Sequence, residues 1–300
     1  MKAVRLRAYG DVDQFAIEDI PAPKPQAGEI LIKIEASAVN HFDLVIRQGY
    51  VAQYIPLDLP AVLGGDAAGT VIEVGAGVTG LAVGDRVVAD FAANGNGSHA
   101  EYGVVPASAV AKLPGNLTFE EGAALPKAGL TGRQTVDALG VKEGDRVLIS
   151  GALGAVGRAA IQYLQEIGAK PVAGVRPDRV DEARRLAGEA LEITKAPIDA
   201  TFDYAISAAA PVAGNLIAHV RTGGQVASIV PVPEGANPAN GVLIHELYHR
   251  SDAGTLKAVA DAASRGALVI PIAKIFSLDE IGAAHRAVGA GAQGKVVLRH

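Results

Sequence analysis

Glycines at 151, 154 and 157 mark a stretch where the backbone itself could bind a ligand. The run from 145 to 157 is D-R-V-L-I-S-G-A-L-G-A-V-G. Val147, Leu148 and Ile149 are apolar, mostly β-branched and bounded by glycine, the pattern of a buried strand. Residues 158–168 then carry Ala160, Ile161, Leu164 and Ile167 at helical spacing and stop at Gly168. Strand, glycine turn and helix open a nucleotide-binding βαβ unit, whose free N–H groups and helix N-terminus can hold a pyrophosphate. Ala152 stands where the full G-x-G-x-x-G would begin, and the alternative reading is an ordinary tight turn.

The end of the second strand decides which ribose such a site takes. An acid there bonds a free 2′-hydroxyl, whereas an arginine accommodates a 2′-phosphate. Here residues 171–175 are followed by Arg176, with Arg179 close behind and Asp178 between. A forked guanidinium suits phosphate, so NADP(H) is expected over NAD(H). The alternative is two solvated arginines, but positive charge at a helix start opposes the helix dipole.

Two other stretches are rich in functional side chains. Residues 38–50 crowd Asn40, His41, Asp43, Arg47 and Tyr50 into a loop or short helical turn. Residues 245–249 spell H-E-L-Y-H, the letters of a zinc-protease helix. No third ligand accompanies it, and the surrounding pattern is not that of a protease. The chain has no cysteine, which removes disulfides, thiolate catalysis and cysteine-bound zinc.

These residues must be held by two kinds of scaffold. The 300 residues suit two domains, and 49% hydrophobic content excludes disorder. A net charge of −5 with interspersed signs, and no tryptophan, argue against nucleic acid. The start of the chain has no apolar signal core and no run is long enough to span a bilayer, so a cytoplasmic protein is expected. Up to about residue 118 the pattern is short strands and turns, including a half-exposed strand at 29–37 with Ile30, Ile32 and Ile34 on one face. Thr118 and Glu121 form a capping box opening a helix that should stop at Pro126, with a second helix over 130–138. Beyond lie alternating strands and helices, hence a parallel sheet. Ser277 and Glu280 form another capping box, and 295–298 is a last strand returning to the β domain.

The whole chain resembles the medium-chain dehydrogenases/reductases, specifically the zinc-independent NADPH:quinone oxidoreductases of zeta-crystallin type. The resemblance rests on A-V-N-H-F-D-L-V-I-R-Q-G-Y (38–50), L-G-G-D-A-A-G-T-V (63–71), V-G-D-R-V (83–87), S-H-A-E-Y (98–102), A-L-P-K-A-G-L-T (124–131), G-A-L-G-A-V-G (151–157), T-G-G-Q-V-A-S-I (222–229) and G-K-V-V-L (294–298). It implies an α/β protein: a GroES-like β-barrel catalytic domain from 1–118 and 269–300, and a doubly wound Rossmann NADP(H)-binding domain over 119–268. A homodimer is implied too. In this pattern Ala152 is ordinary.

The resemblance also assigns roles. Asn40 would face nicotinamide and substrate as an amide donor to a developing oxyanion, and Tyr50 would be a proton donor or lid residue. Thr131 would approach the nicotinamide or its phosphate. Ala155 and Val156, in the turn with Gly151 and Gly154, would offer N–H groups to the pyrophosphate, and Ser228, Ile229 and Val230 would border the nicotinamide. The zinc ligands of metal-dependent members fall on Asn40, Gly65 and Lys127, with Asp66 the one carboxylate, a set unsuited to zinc. Without a Lewis acid the expected acceptor is electron-poor: a quinone, enone or enal. Val45 stands where some bacterial relatives carry a tyrosine, so the resemblance does not single out a quinone and a small enone or enal is a credible acceptor. The segment 186–199 is shorter than usual, with no tyrosine to flank a 2′-phosphate. The competing class is a non-catalytic NADPH-binding protein, a sensor or a crystallin-like structural protein.

Overall fold

The structure is a computed structural model that describes residues 1–194, 201–235 and 241–300. Residues 195–199 of the short segment therefore lie outside the described residues. The chain divides into two compact units, one of Met1–Leu130 with Ser251–His300 and the other of Thr131–Arg250.

The first unit begins with β1 (Lys2–Leu6), β2 (Phe15–Asp19) and the long β3 (Glu29–Val39). Helix α1 (His41–Arg47) follows, then β4 (Ala61–Val62), β5 (Asp66–Val74), β6 (Arg86–Asp90), β7 (Tyr102–Pro106), β8 (Val110–Lys112) and α2 (Phe119–Ala123). The sequence leaves residues 38–50 as loop or helical turn. They form a helix because Asn40 and Asp43 close a capping box at its start. Ile30, Ile32 and Ile34 pack with Val71, Val87 and Phe91 in the core. Beyond Glu35 the strand is not half-exposed: Ala36 through Val39 are buried on both faces. Ala36 and Ala38 pack with Ala123 and Leu130 on that side, and their small side chains permit it.

Helix α3 (Pro126–Leu139) starts at the proline that the sequence reads as a helix end. Proline at a first helical position loses no hydrogen bond, so it can open a helix as readily as close one. In the second unit, β9 (Arg146–Ser150), α4 (Ala155–Glu166), β10 (Lys170–Val175), α5 (Val180–Ala187) and β11 (Glu189–Glu192) alternate. Then come β12 (Phe202–Ser207), α6 (Ala213–Ala218), β13 (Val220–Ser228) and β14 (Leu243–Glu246). All six strands are parallel, in the order β11-β10-β9-β12-β13-β14. That is the 3-2-1-4-5-6 order of a dinucleotide-binding sheet. Leu148, Val172, Phe202, Ala205 and Val226 form its core with Leu216 and Ile217 of α6.

The first unit is completed by α7 (Ala253–Ser264), β15 (Ile272–Ser277), α8 (Ile281–Gly289) and β16 (Lys295–Arg299). Its seven-stranded sheet runs β15-β16-β3-β5-β6-β8, with β7 also on β3, and β2-β1-β4 form a separate sheet. Strand β16 lies antiparallel to β3, with Val296 opposite Val39 and Arg299 opposite Ala36. Both expected capping boxes are present, at Thr118/Glu121 and Ser277/Glu280. Residues 119–130 and 251–268, which the sequence pattern joins to the nucleotide-binding half, belong instead to the first unit, where α2 packs on β3 and β5 and α7 on β8.

Candidate functional site

In the second unit the glycine turn follows β9 as the sequence pattern requires. Gly151 has φ +63°, and a Cβ on Gly157 would lie 2.4 Å from the Gly151 carbonyl oxygen, so neither position admits a larger residue without strain. Gly154 is the N-cap of α4 and has no side chain to cap with. The N–H groups of Ala155 and Val156 thus lie in the first turn of a 12-residue helix with no side-chain cap, ready donors for an anion. The helix starts at 155 rather than at 158, where periodicity alone begins it.

Arg176 and Ser228 to Val230 lie at the carboxyl ends of β10 and β13, and Thr131 lies in α3. Arg176 follows β10 directly; its side chain is 66% exposed and lies 3.6 Å from Asp178. Arg179 is instead held by Glu182 at 2.5 Å. The structure therefore leaves Arg176, not Arg179, open toward solvent. Glu192 stands in register with Val175 on the neighbouring strand, but it accepts hydrogen bonds from Thr194. Ser228 ends β13, its hydroxyl donates to the Val230 carbonyl, and Ile229 N–H donates to Ser207. Thr131 is buried in α3 and its hydroxyl is 2.9 Å from His249 Nδ1. Its neighbour Gly132 packs so closely on α4 that a Cβ would meet that of Ala159 at 2.7 Å. An uncapped helix start and a glycine turn at the end of β9 fit the pyrophosphate of a dinucleotide.

The H-E-L-Y-H letters form no zincin helix. His245 and Glu246 lie in β14, His245 bonds Gln225 at 2.8 Å, and His249 bonds Thr131. Among the described residues no cluster of three or more His, Asp or Glu side chains could hold a metal ion.

In the first unit a buried ionic network surrounds Asn40. Lys295 Nζ donates to Asp66 Oδ2 at 2.6 Å and to Asn40 Oδ1 at 2.5 Å, with the lysine side chain 4% exposed and the aspartate sealed. Asn40 Nδ2 donates to Asp66 at 3.0 Å, and the backbone N–H of Lys127 donates to the other Asp66 oxygen at 2.8 Å. Lys127 Nζ pairs with buried Asp90 at 2.6 Å, and Ser251 also donates to Asp90. Burial, with the Asp66 charge nearby, pushes the Asp43 carboxyl up to about 6. Gly65 is what lets Lys127 lie there: a Cβ at 65 would be 2.5 Å from Lys127 Cε. The positions expected to match zinc ligands thus present an amide, a glycine and an ammonium, with a second ammonium between Asn40 and Asp66. Ammonium groups lend a metal no electron pair, so this donor set does not fit zinc.

The amide of Asn40 is consequently engaged on both its oxygen and its nitrogen. Tyr50 lies in a turn after α1 and is 71% exposed. Sequence reasoning missed Lys295, Asp90 and Ser251 as members of the network. The legible signal was Lys295 itself, a charge heading the apolar strand K-V-V-L, which must find a carboxylate if that strand is buried.

The comparisons agree with this architecture. Residues 26–115 match the alcohol dehydrogenase GroES-like domain and residues 167–298 the zinc-binding dehydrogenase family. The 2-methylene-furan-3-one reductase of Solanum lycopersicum is 32% identical over 318 aligned positions, covering 99% of this chain and 79% of the relative. Among solved structures, the quinone oxidoreductase from Coxiella burnetii superposes with a TM-score of 0.91 at 26% identity, covering 100% of this chain and 99% of that one. Mycobacterial Rv1454c complexed with NADPH superposes at 0.85 with 28% identity over 100% of both chains. The chain belongs to the medium-chain dehydrogenase/reductase superfamily, with its GroES-like and Rossmann halves. It spans only 50 to 62% of the length of several other curated relatives. No described helix is long and apolar enough to cross a membrane.

Proposed function

We propose that this protein is a zinc-independent, NADPH-dependent oxidoreductase that reduces a quinone, enone or enal. The observation that carries the reading is the Lys295 ammonium lodged between Asn40 and Asp66. It puts a fixed positive charge among the side chains that match zinc ligands elsewhere in the superfamily. Relatives named as quinone oxidoreductases and as a furanone reductase support the choice of a conjugated acceptor.

NADPH, when bound, supplies the hydride. The chain's own part is to hold and orient. Ala155 and Val156 offer N–H groups to the pyrophosphate, with Gly151 and Gly154 keeping the approach clear. Arg176 selects the 2′-phosphate, while Arg179 supports α5 through Glu182. Thr131 and Ser228 to Val230 border the nicotinamide. A conjugated acceptor spreads the incoming charge over several atoms, so it needs no Lewis acid.

The test is to mix protein, NADPH and a panel of quinones, enones and enals and to follow loss of the reduced nicotinamide absorbance. Turnover by metal-stripped protein is expected. Dependence of activity on added zinc overturns the zinc-free reading, and cofactor binding without turnover of any acceptor makes the protein a binder rather than an enzyme. Arg176→Ala should weaken NADPH by roughly 10- to 100-fold, one charge-assisted contact of about 1.5–3 kcal/mol, and leave NADH unchanged. Equal loss of both sinks the 2′-phosphate assignment.

A further inference from the structure

A cleft opens beside the ionic network in the first unit. Its walls are apolar, with Phe42, Ile46, Leu57 and Phe91 among them, and Gly65 lies in its lining. Two charged side chains reach it, Asp43 and Lys127. They are not equivalent. Asp43 is 4% exposed and its carboxylate accepts the Asn40 N–H, closing the start of α1. The Lys127 side chain is 22% exposed while its partner Asp90 is fully sealed. Lys127 Nζ donates to Asp90 and, at 3.3 Å, to the Phe91 carbonyl. An ammonium carries three protons, so one remains for a ligand in the cleft.

We propose that Lys127 Nζ binds the carbonyl oxygen of the acceptor and stabilises the negative charge that gathers on it during reduction. The proposal rests on the oxidoreductase reading above and places the oxyanion contact on the Lys127 ammonium, which carries a full positive charge, rather than on the neutral Asn40 amide. In the reduction of an enone, a hydrogen with two electrons adds to the β-carbon, and the displaced π pair moves through the α-carbon to the oxygen. The resulting enolate takes one proton from water at its α-carbon. The hydride comes from a reduced nicotinamide, which is oxidised in the exchange. Charge therefore peaks on the carbonyl oxygen, where a fixed ammonium in an apolar cleft is most effective. The ligand class is an apolar molecule with one oxygen acceptor; a cationic molecule is repelled.

The first test needs no cofactor. 4-Nitrophenolate, an aromatic oxyanion, is titrated into the protein and its absorbance followed. Lys127→Met should weaken binding by about tenfold or more, as expected for loss of a charge-assisted hydrogen bond, and Lys127→Arg should keep most of it. In the second test, kcat/KM for an enone should fall about 100-fold in Lys127→Met, while the rise in melting temperature on adding NADPH stays unchanged. Should Lys127→Met not fold, Lys127→Gln set against Lys127→Arg gives the same comparison. Nitrophenolate binding equal to wild type, or kcat/KM kept within about threefold, overturns the proposal. If the wild type reduces no acceptor yet nitrophenolate binding still depends on Lys127, the oxygen site stands and the oxidoreductase reading falls.

Discussion

Two buried polar clusters share β3 and β16, and they solve the same problem in opposite ways. At one end of the strand pair, Asp66, Asp90 and Lys295 are buried as charges, with the half-buried Lys127 ammonium and the Asn40 amide as partners. Three residues along, Ser37 bonds His99 Nδ1 at 3.3 Å and His300 Nε2 at 2.8 Å, and His285 stacks edge-on to His99 with ring centroids 6.2 Å apart. His99 Nε2 and both nitrogens of His285 have no hydrogen-bond partner among the described residues. Burial therefore holds the rings neutral, taking His285 down to about 3 and His300 to about 4, with His99 also well below the usual value. The Arg47 guanidinium adds to the effect on His285. The lesson is that a buried group either keeps its charge with a partner or gives the charge up.

The largest expected effect is on the charged side. Lys295→Met strands the Asp66 carboxylate in a dry site. Removing one partner of a buried pair costs about 3–5 kcal/mol, to be read from urea unfolding. Adding Asp66→Asn should recover much of that loss. A single variant within about 1 kcal/mol of wild type means the pair is not the closed, matched unit described here.

Gly64 and Gly65 sit side by side in the sequence and face different clusters. Gly64 has φ +104°, and a Cβ there would lie 2.5 Å from both His99 Nδ1 and Ser98 Oγ. Gly64→Ala thus meets backbone strain and a sealed wall together. It should cost on the order of 2–3 kcal/mol by thermal or urea unfolding, and a smaller loss than for Gly65→Ala would reverse the contrast.

The histidine side should reveal itself in acid. Above pH 6.5 the rings are neutral in both folded and unfolded chains and pH has no effect through them. As pH falls from 6.5 toward 4, the unfolded chain takes up protons that the folded rings refuse, so stability falls. The slope is up to about 1.4 kcal/mol per pH unit for each ring. Asp43 acts in the opposite sense: its carboxyl is raised in the fold, so protonation as pH falls through about 6 favours the folded state until the unfolded group protonates too. Net loss between pH 6.5 and 4 is expected because three rings outweigh one carboxyl. His285→Phe, which keeps the edge contact with Phe15, should flatten the slope by about one ring's share. An unchanged slope would falsify the neutral-cluster account.

How much of this the sequence disclosed follows from distance along the chain. The nucleotide-binding half is written locally, as a glycine turn between a strand and a helix, so the places of Gly151 and Gly154 after β9 and of Arg176 after β10 could be read in advance. Strand β14 escaped because L-I-H-E is short and half polar, and its pairing with β13 decides its state. Pro126 misled because proline both ends and begins helices, and only packing tells which. The ionic network draws on positions 40, 66, 90, 127, 251 and 295. No spacing rule joins residues so far apart, and only the β3–β16 register brings Lys295 to Asn40. The residue types at positions 40, 65 and 127 were readable, Lys127 among them; the Lys295 ammonium between Asn40 and Asp66 was not.

Gly65→Ala gives the smallest change in stability and the most pointed test of the comparison. Its new Cβ would first meet the far end of the flexible Lys127 side chain, 2.5 Å from Cε, so the lysine stem can swing away. Stability should fall by no more than about 1 kcal/mol, within the range of surface-like substitutions. The ammonium would keep its pair with Asp90 from a shifted stem and lose only its place in the cleft. Enone reduction should then drop by about tenfold while NADPH binding is kept, since each tenfold needs only about 1.4 kcal/mol at the transition state. Retained activity with a displaced lysine would show that the charge near Gly65 serves the fold alone. Lost stability with retained activity would show that Gly65, like Gly64, faces a wall that cannot move.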